Sequence, residues 1–124
     1  LKEKGVDFDI VWNALMRDLE FRDKIIIHNV SFDIGVLKNE AKLRKLDASI
    51  FDAKTQFCTM RKSTNFCTLP QKFRSSSYKW PKLKELYKAL FGDFPEDKLL
   101  HDSIQDCRIL HRCYVKGNSV GAFT

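Results

Sequence analysis

The stretch Lys24–Leu37, KIIIHNVSFDIGVL, decides the fold class. Three successive isoleucines read as a buried strand of a mostly parallel sheet, where both faces are covered and apolar residues need not alternate. Ser31 then offers an N-cap, and Ile34, Leu37 and Ala41 follow at helical spacing through roughly Lys45. A strand that turns directly into a helix is the building unit of an α/β domain. It leaves polar residues at the carboxyl end of the strand, where ligands bind in open α/β sheets.

Working outward, Phe8, Val11, Trp12, Leu15, Met16 and Leu19 form the stripe of an amphipathic helix, with Asp7 or Asp9 as its start signal. On the far side, Ile50–Met60 predicts a second strand from its β-favouring Phe51, Thr55, Phe57 and Thr59. Arg61–Lys79 is polar and basic, contains Pro70 and three serines in a row, and reads as a loop. Pro81 suits a first helical position, and Leu83, Leu86, Tyr87 and Leu90 run to Gly92 as terminator. A linker, DFPEDK, leads to a last helix, and GNSVGAFT reads as a frayed tail. The alternation predicts an α/β chain with one domain over residues 1–116 and a flexible tail over 117–124.

Composition narrows the class. With 124 residues, 44% apolar and 31% charged, the chain is an ordinary globular domain. It has neither the run of about 18 apolar residues that a membrane helix needs nor a secretory leader, so an intracellular, cytoplasmic setting is expected. A net charge of +6 favours polyanionic partners, nucleic acid first among them. Cys58, Cys67, Cys107 and Cys113 contain no C-x-x-C pair. Partly buried, reduced thiols suit that spacing better than a zinc site of Cys58, Cys67 and His101.

Two constellations can carry chemistry. In HNVSFD, Asp33 falls in the first turn of a helix that follows a strand, where it either complements the helix dipole or serves a ligand. In HDSIQD, His101 and Asp106 stand five residues apart and do not share a helix face. They converge only if His101 lies on the loop before the helix. Asp102 and Asp106 form a like-charge i,i+4 pair that a cation would relieve.

Taken together, HNVSFDIGVL and HDSIQDCRIL resemble the second and third motifs of the DnaQ-like (DEDDh) 3′→5′ exonucleases. His28, Asn29, Phe32 and Asp33 match the former, and His101, Ser103 and Asp106 the latter. FCTM resembles the strand between those motifs, and KWPKLKELYKALFG the helix before the third; the likeness extends from about Phe8 to Tyr114. It implies a ribonuclease H-like exonuclease fold and hydrolysis of phosphodiester bonds at single-stranded 3′ ends, DNA favoured over RNA. Two divalent ions, Mg²⁺ or Mn²⁺, would be held by Asp33 and Asp106. His101 would be the general base, and Phe32 would stack on the terminal base. Asn29 would steady either the backbone or the terminal nucleotide. Lys72, Arg74 and Lys79 would hold phosphates or form a solvated surface.

The family's first motif, D-x-E on a central strand, is missing. Asp18-Leu19-Glu20 has the letters but falls within the Trp12–Leu19 helical stripe, and Asp7-Phe8-Asp9 lacks the glutamate. The expectation is a domain truncated at its N-terminus, without the first strands of the sheet, and inactive by itself. The alternative from another class is a non-catalytic nucleic-acid-binding or interaction module on the same fold.

Overall fold

Lys24–Ile27 does form a strand, β1, but its isoleucines are only half-buried, because the sheet has just two strands among the described residues. The computed structural model describes residues 7–71, 78–95 and 103–124 as an α/β chain of seven helices and a two-stranded parallel sheet. The chain divides into two compact units. The first holds residues 1–25 and 31–57, and the second residues 26–30 and 58–124.

In the first unit, α1 spans Phe8–Glu20 behind Asp7 and buries Trp12 and Leu19, the centre and end of the predicted stripe. Trp12 stacks on Phe8 at 5.7 Å and meets Phe51 edge-on at 5.8 Å. Such aromatic pairs add about 0.5–1.5 kcal/mol beyond area burial. Asp18 and Glu20 are exposed on α1, as expected for a helix surface.

Helix α2 runs Val30–Leu43, not from a Ser31 cap. Asn29 takes a left-handed backbone, φ 72°, and turns the chain one residue earlier, so Ser31 lies inside the first turn. The second strand is also shorter than predicted. The Asp47 carboxylate accepts the Ser49 N–H at 2.9 Å, and this Asx turn opens a helical turn, α3, at Ile50–Ala53. Only Thr55–Cys58 remains as β2, and Thr59–Lys62 is helical again as α4. β-Favouring side chains are outweighed by turn chemistry and by the burial of Phe51 against Trp12.

The second unit carries a further correction. The loop expected from Arg61 begins as helix, with α4 followed by α5 at Thr64–Cys67. Buried Ser63 donates its hydroxyl to the Thr59 carbonyl at 2.6 Å, and Thr64 donates to Met60 at 2.9 Å, which satisfies carbonyls at the joint. Helix α6 spans Leu83–Phe91. Lys82, not Pro81, precedes its first residue, and the Lys82 N–H donates to Glu85 Oε1 at 2.8 Å, half of a capping box. Gly92 closes α6 at φ 87°, with its N–H on the Lys88 carbonyl at 2.7 Å.

Helix α7 spans Ser103–Val120, longer than the sequence suggested. It packs on α6 around Leu86, Leu90, Ile109, Cys113 and Ala122. The tail does not fray. Gly121 turns the chain at φ 73°, Ala122 is fully buried, and the Thr124 N–H donates to the Lys62 carbonyl at 2.9 Å. The Phe123 ring lies over buried Gly117, where a Cβ would collide with it. This contact between a small residue and an aromatic ring three positions before and after the helix end is not visible as periodicity.

Candidate active site

The site residues predicted from sequence divide between the two units. Asn29 and Asp106 belong to the second, Phe32 and Asp33 to the first. His101, Lys72 and Arg74 lie outside the described residues, as does Asp102.

The strand end is held by His28. Its Nε2 lies 2.7 Å from the Pro81 carbonyl and its Nδ1 2.9 Å from Thr59 Oγ1. A carbonyl only accepts, so Nε2 carries the proton and Nδ1 accepts from the Thr59 hydroxyl. That hydroxyl's single proton goes to this nearer partner, since the Ile27 carbonyl stands 3.5 Å away. Burial holds the His28 pKa below its ordinary value, against the opposing pull of the Pro81 carbonyl. His28 is thus a neutral strut that ties residues 28, 59 and 81 together. Asn29 follows it in the left-handed region, which favours its backbone role over contact with a nucleotide.

From there α2 begins, and its first turn presents Phe32, 65% exposed, and half-buried Asp33. Asp33 has no hydrogen-bond or ion-pair partner among the described residues, and burial pushes its carboxyl above the usual carboxylate range. A partly desolvated carboxylate without a cation is a hard oxygen donor suited to Mg²⁺ or Mn²⁺. Asp106, also half-buried, sits in the first turn of α7. It offers the same donor chemistry, also with no partner among the described residues. Among the described residues no three His, Cys, Asp or Glu side chains gather into a metal-holding group.

Lys79 is committed elsewhere. Its Nζ lies 3.0 and 3.1 Å from the two Glu85 carboxylate oxygens. Burial would raise the Glu85 pKa, but the Lys82 N–H and Lys79 outweigh it and hold the carboxyl below its ordinary value. Lys79 therefore brings a neutralised charge, not a free one, to any phosphate. The cysteines are unpaired. Cys113 is fully enclosed, and burial, aided by Cys67 nearby, pushes its thiol up to about 12, so it packs as an inert apolar group.

No family model, curated protein or solved structure matches the chain. No helix among the described residues is long and apolar enough to cross a membrane.

The charge around the site is not shared between the units, and no motif signals this. The first unit holds ten Lys and Arg against ten Asp and Glu, and the second twelve against six. The whole excess of +6 belongs to the second unit. Residues 26–30 carry no formal charge, so the same division is visible in the sequence as a neutral stretch over 1–57 followed by a basic one over 58–124.

Proposed function

We propose that the chain is the later part of a DnaQ-like 3′→5′ exonuclease domain of the ribonuclease H-like class, acting on single-stranded ends, DNA before RNA. The observation that carries this reading is Asp33. It is a half-buried carboxylate with no partner among the described residues, in the first turn of the helix that follows β1 and His28-Asn29. The dipole of α2 favours its charge at that position, yet burial disfavours it, and a divalent cation would resolve the conflict. Asp106 supplies the same oxygen chemistry at the start of α7.

In this reading Asp33 and Asp106 would hold two Mg²⁺ or Mn²⁺ ions together with a strand-borne D-x-E pair, a place that Asp18-Leu19-Glu20 on α1 does not fill. Such ions would supply electrostatic stabilisation of the charge that develops during phosphodiester hydrolysis. His101 takes the proton of the attacking water. Phe32 stacks on the terminal base, using the exposure it has on α2. Without the D-x-E pair, the chain by itself is expected to be inactive.

The test is Mg²⁺-dependent shortening of a 5′-labelled single-stranded oligonucleotide by the product of the whole reading frame that contains these residues. Stepwise loss from the 3′ end that vanishes in Asp106→Asn supports the reading. His101→Ala should lower turnover by roughly 10²–10⁴-fold while leaving substrate binding in place. A full reading frame that binds DNA but never shortens it would overturn catalysis. The second reading, a non-catalytic nucleic-acid-binding module, would then stand on the charge excess of the second unit.

A further inference from the structure

Away from the two carboxylates, the second unit holds a cleft of about 490 Å³ lined by Thr64, Asn65, Gln71, Tyr78, Lys79 and Trp80. Its volume falls in the range of small-ligand sites. Two aromatic rings that a folding chain would ordinarily bury are left open here, Trp80 at 54% and Tyr78 at 44% exposure. They flank Lys79, whose backbone N–H donates to the Leu69 carbonyl at 2.9 Å, so the segment is anchored and not loose. The Arg61 guanidinium lies over the Trp80 ring, 4.9 Å from its centroid. One face of the indole thus meets a cation, while the residue as a whole stays more than half exposed.

The remaining lining groups are neutral hydrogen-bonding side chains. Gln71 donates to the Tyr78 carbonyl at 3.3 Å and keeps its own carbonyl as an acceptor. The Asn65 amide has no hydrogen bond among the described residues. Open aromatic faces, amide donors and acceptors and an arginine, on the unit that carries all the excess positive charge, match a nucleobase joined to phosphate. A sugar ligand would have no use for the charge, and an acidic peptide none for the paired rings.

We propose that this cleft is a base-stacking subsite for single-stranded nucleic acid, with one base on Trp80, Tyr78 beside it and Arg61 on the adjoining phosphate. The proposal rests on the nucleic-acid part of the functional reading but not on catalysis. The subsite binds without a divalent metal and tolerates any base, because every base has a π-face.

The experiment is fluorescence anisotropy of a 5′-fluorescein-labelled twelve-residue oligothymidylate with the 124-residue chain in EDTA, where nuclease chemistry is silent. Trp80→Ala is expected to weaken binding about 5- to 150-fold, the range for one lost base stack, with Trp80→Phe restoring most of it. Arg61→Ala should weaken it less and flatten its salt dependence. Because Trp80 is exposed, these variants should retain the wild-type circular dichroism. The intrinsic tryptophan emission of the unaltered chain, quenched by unlabelled oligothymidylate, gives a readout that needs no variant. Equal affinity of wild type and Trp80→Ala, absence of quenching, or equal competition by polyglutamate would each overturn the subsite. Failure of the full reading frame to shorten DNA would overturn catalysis alone and leave this result untouched.

Discussion

The two units differ in how they use their charged residues. In the first, charges balance and pair across the surface, as in Lys38–Asp52 at 2.7 Å and Arg44–Glu40 at 3.5 Å, and the core is aromatic around Trp12 and Phe51. In the second, cations outnumber anions twofold and the core is aliphatic around Leu86. Surface ion pairs of the first kind contribute about 0–1 kcal/mol each and neutralise the field. An unbalanced surface of the second kind costs some stability through self-repulsion and gains a long-range attraction for polyanions. The contrast confines the net positive charge to the second unit, while Phe32 and Asp33 stand on the charge-balanced first.

The hardest test of that contrast removes each core separately. Trp12→Ala should cost about 3–5 kcal/mol and Leu86→Ala about 2–5 kcal/mol, measured by chemical denaturation. If the units differ in role, Leu86→Ala abolishes oligonucleotide binding at temperatures where Trp12→Ala, still partly folded, retains it. Loss of binding in both to the same degree would break the division.

A smaller effect separates the surfaces. Arg61→Glu should lower affinity for oligothymidylate about tenfold and reduce the slope of log affinity against log salt. Lys38→Glu, a charge change of the same size in the balanced unit, should leave both nearly unchanged.

Smaller still are two pH effects of opposite sign. His28 is held below its ordinary pKa of 6.5, so the unfolded chain takes up the proton first as pH falls. Its contribution is complete above 6.5 and is lost as pH drops through the lower folded value. Melting temperature should therefore decline on acidification below 6.5, and more shallowly in His28→Gln. Asp33 is held above its ordinary 3.8, so the folded chain keeps the proton longer and stability falls as pH rises from 3.8. Asp33→Asn should accordingly raise the melting temperature slightly at neutral pH. Millimolar Mn²⁺ should raise that of the wild type and not that of the variant. A variant that gains nothing at neutral pH would remove the reason for placing a cation there.

Much of the fold was legible in the sequence where a single periodicity governed. The α1 stripe, the isoleucine strand and the Gly92 stop all follow from residues acting on their near neighbours. Legibility ended where side chains bonded their own backbone. The Asp47–Ser49 turn cut short the second strand, and Ser63 and Thr64 drew helix out of an expected loop. It ended again where distant segments met, as with Phe123 over Gly117. The first-turn positions of the candidate ligands Asp33 and Asp106 were readable from the motif spacing. The pairing of Lys79 with Glu85 depends on the cap of α6, and the cleft beside Trp80 on the return of Lys79 to the Leu69 carbonyl, and neither has a periodic signature.

The strut at His28 also sets a timetable. Its ring is satisfied only when the Pro81 carbonyl arrives, 53 residues later. At synthesis rates of roughly 5–20 residues per second, that partner emerges about 3 to 10 seconds after the histidine. During that interval α1 and α2 can already be made, and β2 and Thr59 follow the histidine by 31 residues or fewer, so the ring waits longest for the acceptor of its Nε2 proton. A ribosome that pauses between residues 60 and 80 would lengthen the time for which the His28 Nε2 proton has no carbonyl to meet.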